Sequence, residues 1–167
     1  MFIGHYAVAF GAKRYSPDIS LGVLFIACQL ADLIWPNLVL LGIETFNIDP
    51  GNTAITPLDF NHYPYSHSLV GLVIWGVIFA GGYYFIKHGK FKAASILTIV
   101  VLSHWLLDFI THRPDMPLTF STATRLGLGL WNLPAVAICL ELVLFGFGIW
   151  LYTRQTRPRD NIGTYGL

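Results

Sequence analysis

The sequence predicts an all-α integral membrane bundle of four transmembrane helices plus a short N-terminal half-helix. Composition gives the first reason: of 167 residues, 54% are hydrophobic and 11% charged, under half the roughly one-quarter charged content of a soluble domain, and mean hydropathy is +0.59. Four apolar stretches, about 19 to 43, 69 to 86, 93 to 110 and 130 to 152, give the second, since crossing a hydrocarbon core of about 30 Å takes roughly 20 residues. The third is the placing of Lys and Arg. Lys13 and Arg14 precede the first stretch, Lys87, Lys90 and Lys92 join the second to the third, and Arg154, Arg157 and Arg159 follow the fourth, whereas Glu44 to Ser66 holds none. Basic segments stay cytoplasmic, so the Glu44–Ser66 connection and the segment from His112 to Gly129 belong on the external face.

Phe2 to Ala12 would be about 16 Å long as a helix, half a bilayer, with Lys13 at its cytoplasmic end and His5 at mid-depth. It lacks a basic leader and a small-residue cleavage signature, so it is expected to be retained. The first span opens on Ser16-Pro17-Asp18, a cap, a proline and an acid suited to a helix start. The second starts at Ser66, after Pro64, and carries Gly71, Gly76, Gly81 and Gly82, small enough to admit a neighbouring helix. The third closes at Arg113-Pro114. The fourth runs from near Trp131 to Tyr152, with aromatics at both interfaces. Residues 1–152 therefore read as one membrane-embedded domain and 153–167 as a basic cytoplasmic tail. A net charge of +1 gives no reason to expect a nucleic-acid partner. Cys28 and Cys139 sit in apolar runs without CxxC spacing, which speaks against a disulfide or thiolate metal site.

Ionisable side chains inside lipid are expensive and usually functional. His104 and Asp108, four residues apart, stack on one helix face. Asp32, His104 and Glu141 lie thirteen, eleven and eleven residues into their spans, each at mid-membrane like His5; Asp108 is a turn nearer the external face, and His67 and His62 stand at the external end of the second span. Together they describe a funnel opening outward. Imidazole and carboxylate without thiolate suit a divalent metal, zinc first, with manganese or iron as alternatives, and six or seven ligands suffice for one or two ions. Such ions activate water and clamp the oxygens of a phosphoester, while a helix starting at Ser66-His67-Ser68 would favour an anion. His112, about 12 Å along the axis from His104, is assigned to the substrate or a supporting role. Glu141 is a reserve ligand and His88 a solvated cytoplasmic histidine. Two other readings stay open: a transporter or metal-handling protein with the same residues along an ion path, and an adaptor in which they only hold helices together.

In order, Gly4-His5, Ala31-Asp32, His62-Tyr63-Pro64-Tyr65-Ser66-His67-Ser68 and His104-Trp105-Leu106-Leu107-Asp108 resemble the motif series of the YdjM-like family, LexA-binding, inner-membrane-associated metal-dependent hydrolases. The resemblance covers roughly residues 4 to 118. That family is distantly similar to zinc-dependent phospholipase C and single-strand nucleases. The resemblance implies a prokaryotic inner-membrane protein of phosphoester-hydrolase ancestry, metal ligands at His5, Asp32, His67, His104 and Asp108, and a soluble protein partner; the substrate expected for such a site in a membrane is a phosphoester or ester of a lipid or lipid-linked molecule. His62 takes the first position of the family's His-Arg-Gly segment; apart from the resemblance, His62 or His112 is expected to be the catalytic histidine that polarises the substrate or protonates its leaving group, a role imidazole suits near neutral pH. Tyr63 and Pro64 depart from that segment's arginine and glycine, removing a phosphate-binding guanidinium.

Overall fold

The computed structural model describes residues 1–88, 90–121 and 123–157, and these are mostly helical. α1 (Gly4–Ala12) is followed by α2 (Leu21–Cys28), α3 (Leu30–Leu40), a hairpin of β1 (Thr45–Ile48) and β2 (Leu58–His62), and the one-turn α4 (Pro64–His67). Then come α5 (Leu69–Ile86), α6 (Phe91–Thr111), a second small hairpin of β3 (Met116–Pro117) and β4 (Arg125–Leu126), a 3-10 turn at Leu130–Asn132, and α7 (Pro134–Gln155). Two short hairpins are the additions to an otherwise helical chain. Residues 158–167, most of the expected tail, lie outside the described residues, and α7 itself continues past Tyr152 to Gln155.

Three helices, α5, α6 and α7, are long and apolar enough to cross a membrane, and α2 with α3 passes the same test as a pair bent by 53°. Only 22% of the apolar window of α5 and 17% of that of α7 is covered by the rest of the protein. Val77, Ile78, Leu142 and Val143 are each more than half exposed, and each exposed Å² of apolar surface costs about 25 cal/mol in water. A hydrocarbon solvent removes that cost.

The expected unbroken first span is corrected. Helix α2 stops at Gln29 (φ −107°, ψ 13°), where the Cys28 carbonyl accepts a hydrogen bond from His104 Nδ1 at 2.8 Å instead of serving the helix ladder. The bend redirects α3 so that Asp32, in its first turn, faces the same histidine. The helix start also differs: Ser20, not Ser16, is the cap, its hydroxyl accepting from Val23 N at 3.3 Å. Asp18 instead pairs with Lys90 at 2.9 Å, which holds the Asp18 carboxyl below its ordinary range and raises the Lys90 ammonium. Similarly, α5 begins at Leu69. Ser68 takes extended backbone and caps it through Gly71 N at 2.9 Å, leaving Ser66 and His67 in the separate α4.

α6 is the enclosed centre, with α5, α2 and α1 packed around it and α7 docked behind α1. Leu24, Ala27, Leu97 and Val101 are fully buried between these helices. The α1–α7 approach depends on Gly148, where a Cβ would lie 2.7 Å from Ala7 Cα. Gly76 serves the α5–α6 contact in the same way, 3.3 Å from Thr98 Cγ2, whereas among the described residues nothing lies within 4 Å of a Cβ at Gly81 or Gly82.

Candidate metal centre

Three helices, α1, α3 and α6, and the turn α4 bring histidines and carboxylates from four segments into contact. His5 from α1 places Nε2 at 3.1 Å from Asp108 Oδ1. His104 from α6 places Nε2 at 3.0 Å from Asp108 Oδ2 and 3.7 Å from Asp32 Oδ1. His67 from α4 reaches Asp32 Oδ1 with Nε2 at 3.3 Å. The rings of His5 and His104 stack at 3.9 Å between centroids, 5° from parallel. His5, His104, Asp108 and His67 are buried, while Asp32 opens to a cavity. Two groups have the spacing to hold a metal ion, His5–His104–Asp108 and Asp32–His67–His104, sharing His104. The amino group of Met1 also meets Asp108.

Among the described residues His5 Nδ1 has no hydrogen-bond partner, but the far-side hydrogen bonds of His104, His67 and His112 decide what those imidazoles offer. A carbonyl can only accept, so the bond to Cys28 O puts a proton on His104 Nδ1. Among the described residues its Nε2 has no hydrogen-bond partner, and it faces two carboxylate oxygens. A lone pair facing acceptors is repulsive unless a cation lies between them, either a second proton on the ring or a metal ion. His67 follows the same rule through a relay. Glu44, buried, accepts from the Ser66 hydroxyl at 2.6 Å, so Ser66 Oγ must accept from His67 Nδ1–H at 2.7 Å, and Nε2 meets Asp32 through a second ring proton or a metal ion. His112 donates from Nδ1 to Asp115 Oδ1 at 3.0 Å and turns Nε2 to within 4.0 Å of Asp108 Oδ2. Holding Nδ1 and presenting Nε2 is how metal-bound histidines are set. Ligand atoms at about 2.0–2.1 Å from one ion stand about 3 Å apart, matching the spacing here. The residues present fit a divalent ion.

The distance of His112 from the cluster, reckoned along the helix axis, is thus an overestimate, because its side chain leans back toward Asp108. His62 stands apart: it ends β2 paired with Thr45, its ring 6.0 Å from that of Tyr65, and it is not among the residues lining the cavity. Glu141 is occupied otherwise, its Oε2 accepting from Phe2 N at 2.9 Å and Gly4 N at 3.3 Å, which satisfies the free N–H groups at the start of α1. The expected anion site at a helix start near Ser66 is also taken. The Tyr65 and Ser66 N–H groups donate to Glu44 Oε1 at 2.7 and 2.9 Å. The sulfur of Cys28 donates to Phe25 O at 3.3 Å, so that residue serves the site through its carbonyl alone.

Three participants carry no sequence signature beyond their type. Glu44 is the last residue before β1, Asp115 follows His112 by three positions, and Tyr63 donates its hydroxyl to Asp115 Oδ1 at 3.1 Å. Burial, then the Asp115 carboxylate, pushes the Tyr63 phenol well above its ordinary pKa of 10.0. Arg113 pairs with Asp59 and, at 3.2 Å, with Asp115, and Arg125 donates to Asn61 O at 2.5 Å; both brace β2 on either side of Phe60. The cavity above the cluster holds about 250 Å³. Asp32, His67, Asp108 and His112 line its polar side, and Phe2, Trp35, Phe60 and Trp131 its apolar side. Comparison with protein-family models, curated proteins and solved structures finds no match to this chain.

Proposed function

We propose that the chain is a membrane-embedded, metal-dependent hydrolase acting on a phosphoester or ester of a lipid or lipid-linked molecule. In this reading α5, α6, α7 and the bent α2–α3 pair form four spans, α1 is a half-helix, the membrane is a prokaryotic inner membrane, and the cavity opens externally. One observation carries the proposal: His67, His104 and His112 each anchor Nδ1 to an oxygen and turn Nε2 toward Asp32 or Asp108. His5, Asp32, His67, His104 and Asp108 would hold the metal, zinc being favoured by this donor set, and a bound divalent ion supplies Lewis-acid character and activates water.

The chain's own groups supply the rest. The aromatic wall accepts the apolar part of an amphipathic substrate and directs its polar part to the carboxylate and imidazole floor. His112 stands at that floor with Asp115 behind it, so a proton passed from its Nε2 to a leaving oxygen leaves an imidazole still oriented by Asp115. The family resemblance in the motif series adds the expectation of phosphoester chemistry and of a soluble partner. Against ion transport stands the packing beneath the site, where Leu97, Val100 and Val101 lie fully buried on α6 within two turns of His104.

The test is metal analysis of protein purified in detergent at neutral pH, with phospholipid phosphoester turnover assayed before and after chelation. Stoichiometric metal that is lost in His104→Ala, together with metal-dependent turnover, is expected. Metal-free wild-type protein, or metal accumulation in proteoliposomes without turnover, overturns the proposal.

A further inference from the structure

A second cavity lies at the opposite end of α1 from His5. It is a groove of about 600 Å³ between α1, α6 and α7. Gly11, Ile96, Ile99 and Leu151 make its walls apolar, while Arg14, Tyr15 and Lys92 stand at its mouth. From Lys92 to Val100 it runs about 12 Å along α6, most of the roughly 15 Å of one hydrocarbon leaflet. Asp18, which lines an adjoining pocket with Tyr15 and Lys92, is already paired with Lys90. Among the described residues Arg14 and Lys92 have neither an ion pair nor a side-chain hydrogen bond.

We infer that this groove is a binding site for an anionic phospholipid, separate from the metal centre. One acyl chain lies along Gly11, Ile96 and Ile99, and the phosphate sits between Arg14 and Lys92. The match has three parts. A guanidinium pairs with phosphate oxygens through two parallel N–H donors. The apolar length is that of a chain in a single leaflet. The exposed Tyr15, 62% accessible, has the amphipathic character found at headgroup depth. Basic pockets between spans on the cytoplasmic side hold anionic headgroups in this manner. Neither Gly11 nor Arg14 touches the His/Asp cluster, so this inference survives if the proposed hydrolysis fails.

The experiment is native mass spectrometry of the full chain in a neutral detergent, titrated with phosphatidylglycerol and, separately, with phosphatidylcholine of the same chains. The wild type is expected to hold one phosphatidylglycerol with a preference of roughly 30-fold, two cations at about five-fold each. Arg14→Gln with Lys92→Gln should reduce that preference to near one. Gly11→Leu, which fills the groove and keeps both charges, should weaken both lipids together. Thermal unfolding in the same detergent separates loss of binding from loss of fold. Equal binding of the two lipids by the wild type overturns the inference, as do displacement of lipid by glycerophosphate alone, retention of the preference in the double variant, and a lipid-free dimer that seals the groove.

Discussion

Glu44 shows how one carboxylate outside the cluster determines what a histidine inside it can bind. Because the carboxylate accepts from Ser66 Oγ–H, the hydroxyl must accept from His67 Nδ1–H, and His67 Nε2 keeps its lone pair. Glu44→Gln reverses that order, since an amide NH₂ in the same place donates to Ser66, whose proton then turns to His67 Nδ1. The ring is left with its proton on Nε2, the wrong tautomer for a ligand. Metal affinity measured against a competing chelator should fall about 10–100-fold, the usual cost of losing such a partner, with little loss of helix content; unchanged affinity would refute the relay. Tyr63 makes a prediction on the pH axis. Its folded pKa is raised by burial and by Asp115, so the stability it contributes is intact below the unfolded value of about 10 and is lost as pH climbs above it. Tyr63→Phe should therefore flatten alkaline destabilisation above pH 10 in a thermal-unfolding series, at a cost of about 1 kcal/mol at neutral pH for the lost hydrogen bond.

At the scale of the element, α1 is held against α7 by a contact at Gly148 that tolerates no added atom. A Cβ on Gly148 would fall 2.7 Å from Ala7 Cα and 3.1 Å from Ala7 O, both backbone atoms that cannot rotate aside. Gly148→Val should displace α1, cost about 1–3 kcal/mol as overpacking does, and lower metal content because α1 brings His5 to Asp108. Gly146→Val, where nothing among the described residues lies within 4 Å, should leave both unchanged in the same detergent; a normal metal content in Gly148→Val would separate α1 from the site. The sequence pattern anticipates the apolar stretches of α5, α6 and α7 because apolar length needs no knowledge of neighbours. It does not anticipate the break at Gln29, since that break is stabilised by His104, 75 residues later in the sequence, accepting no role in the local hydrophobic pattern. The start of α5 at Leu69 was hidden for a related reason: Ser66 and Ser68 are equally good caps on paper, and Glu44 decides between them by taking the Tyr65 and Ser66 N–H groups.

Across the whole molecule the basic side chains and the His/Asp cluster separate to opposite ends. Lys92 at the start of α6, Arg14 after α1 and Arg154 in the last turn of α7 fall at one end, while Asp108, Asp32 and His67 fall toward the other, beneath the hairpins. This separation was legible in the sequence because helical rise converts residue number into depth, so His5 and His104 could be placed at one level without coordinates. Azimuth was not legible: Glu141 shares their depth, yet its side chain points to Phe2 and Gly4. If the basic end is cytoplasmic, the loop between β3 and β4 is external. A cysteine-free background needs only Cys28→Ala and Cys139→Ala, since the chain has two cysteines. In that background Ser121→Cys, exposed in the loop, should react with an impermeant maleimide in intact cells, and Lys87→Cys, exposed after α5, only after permeabilisation. The opposite pattern would turn the cavity to the cytoplasm, and the proposed lipid substrate would then have to come from the inner leaflet, the one at the cavity mouth.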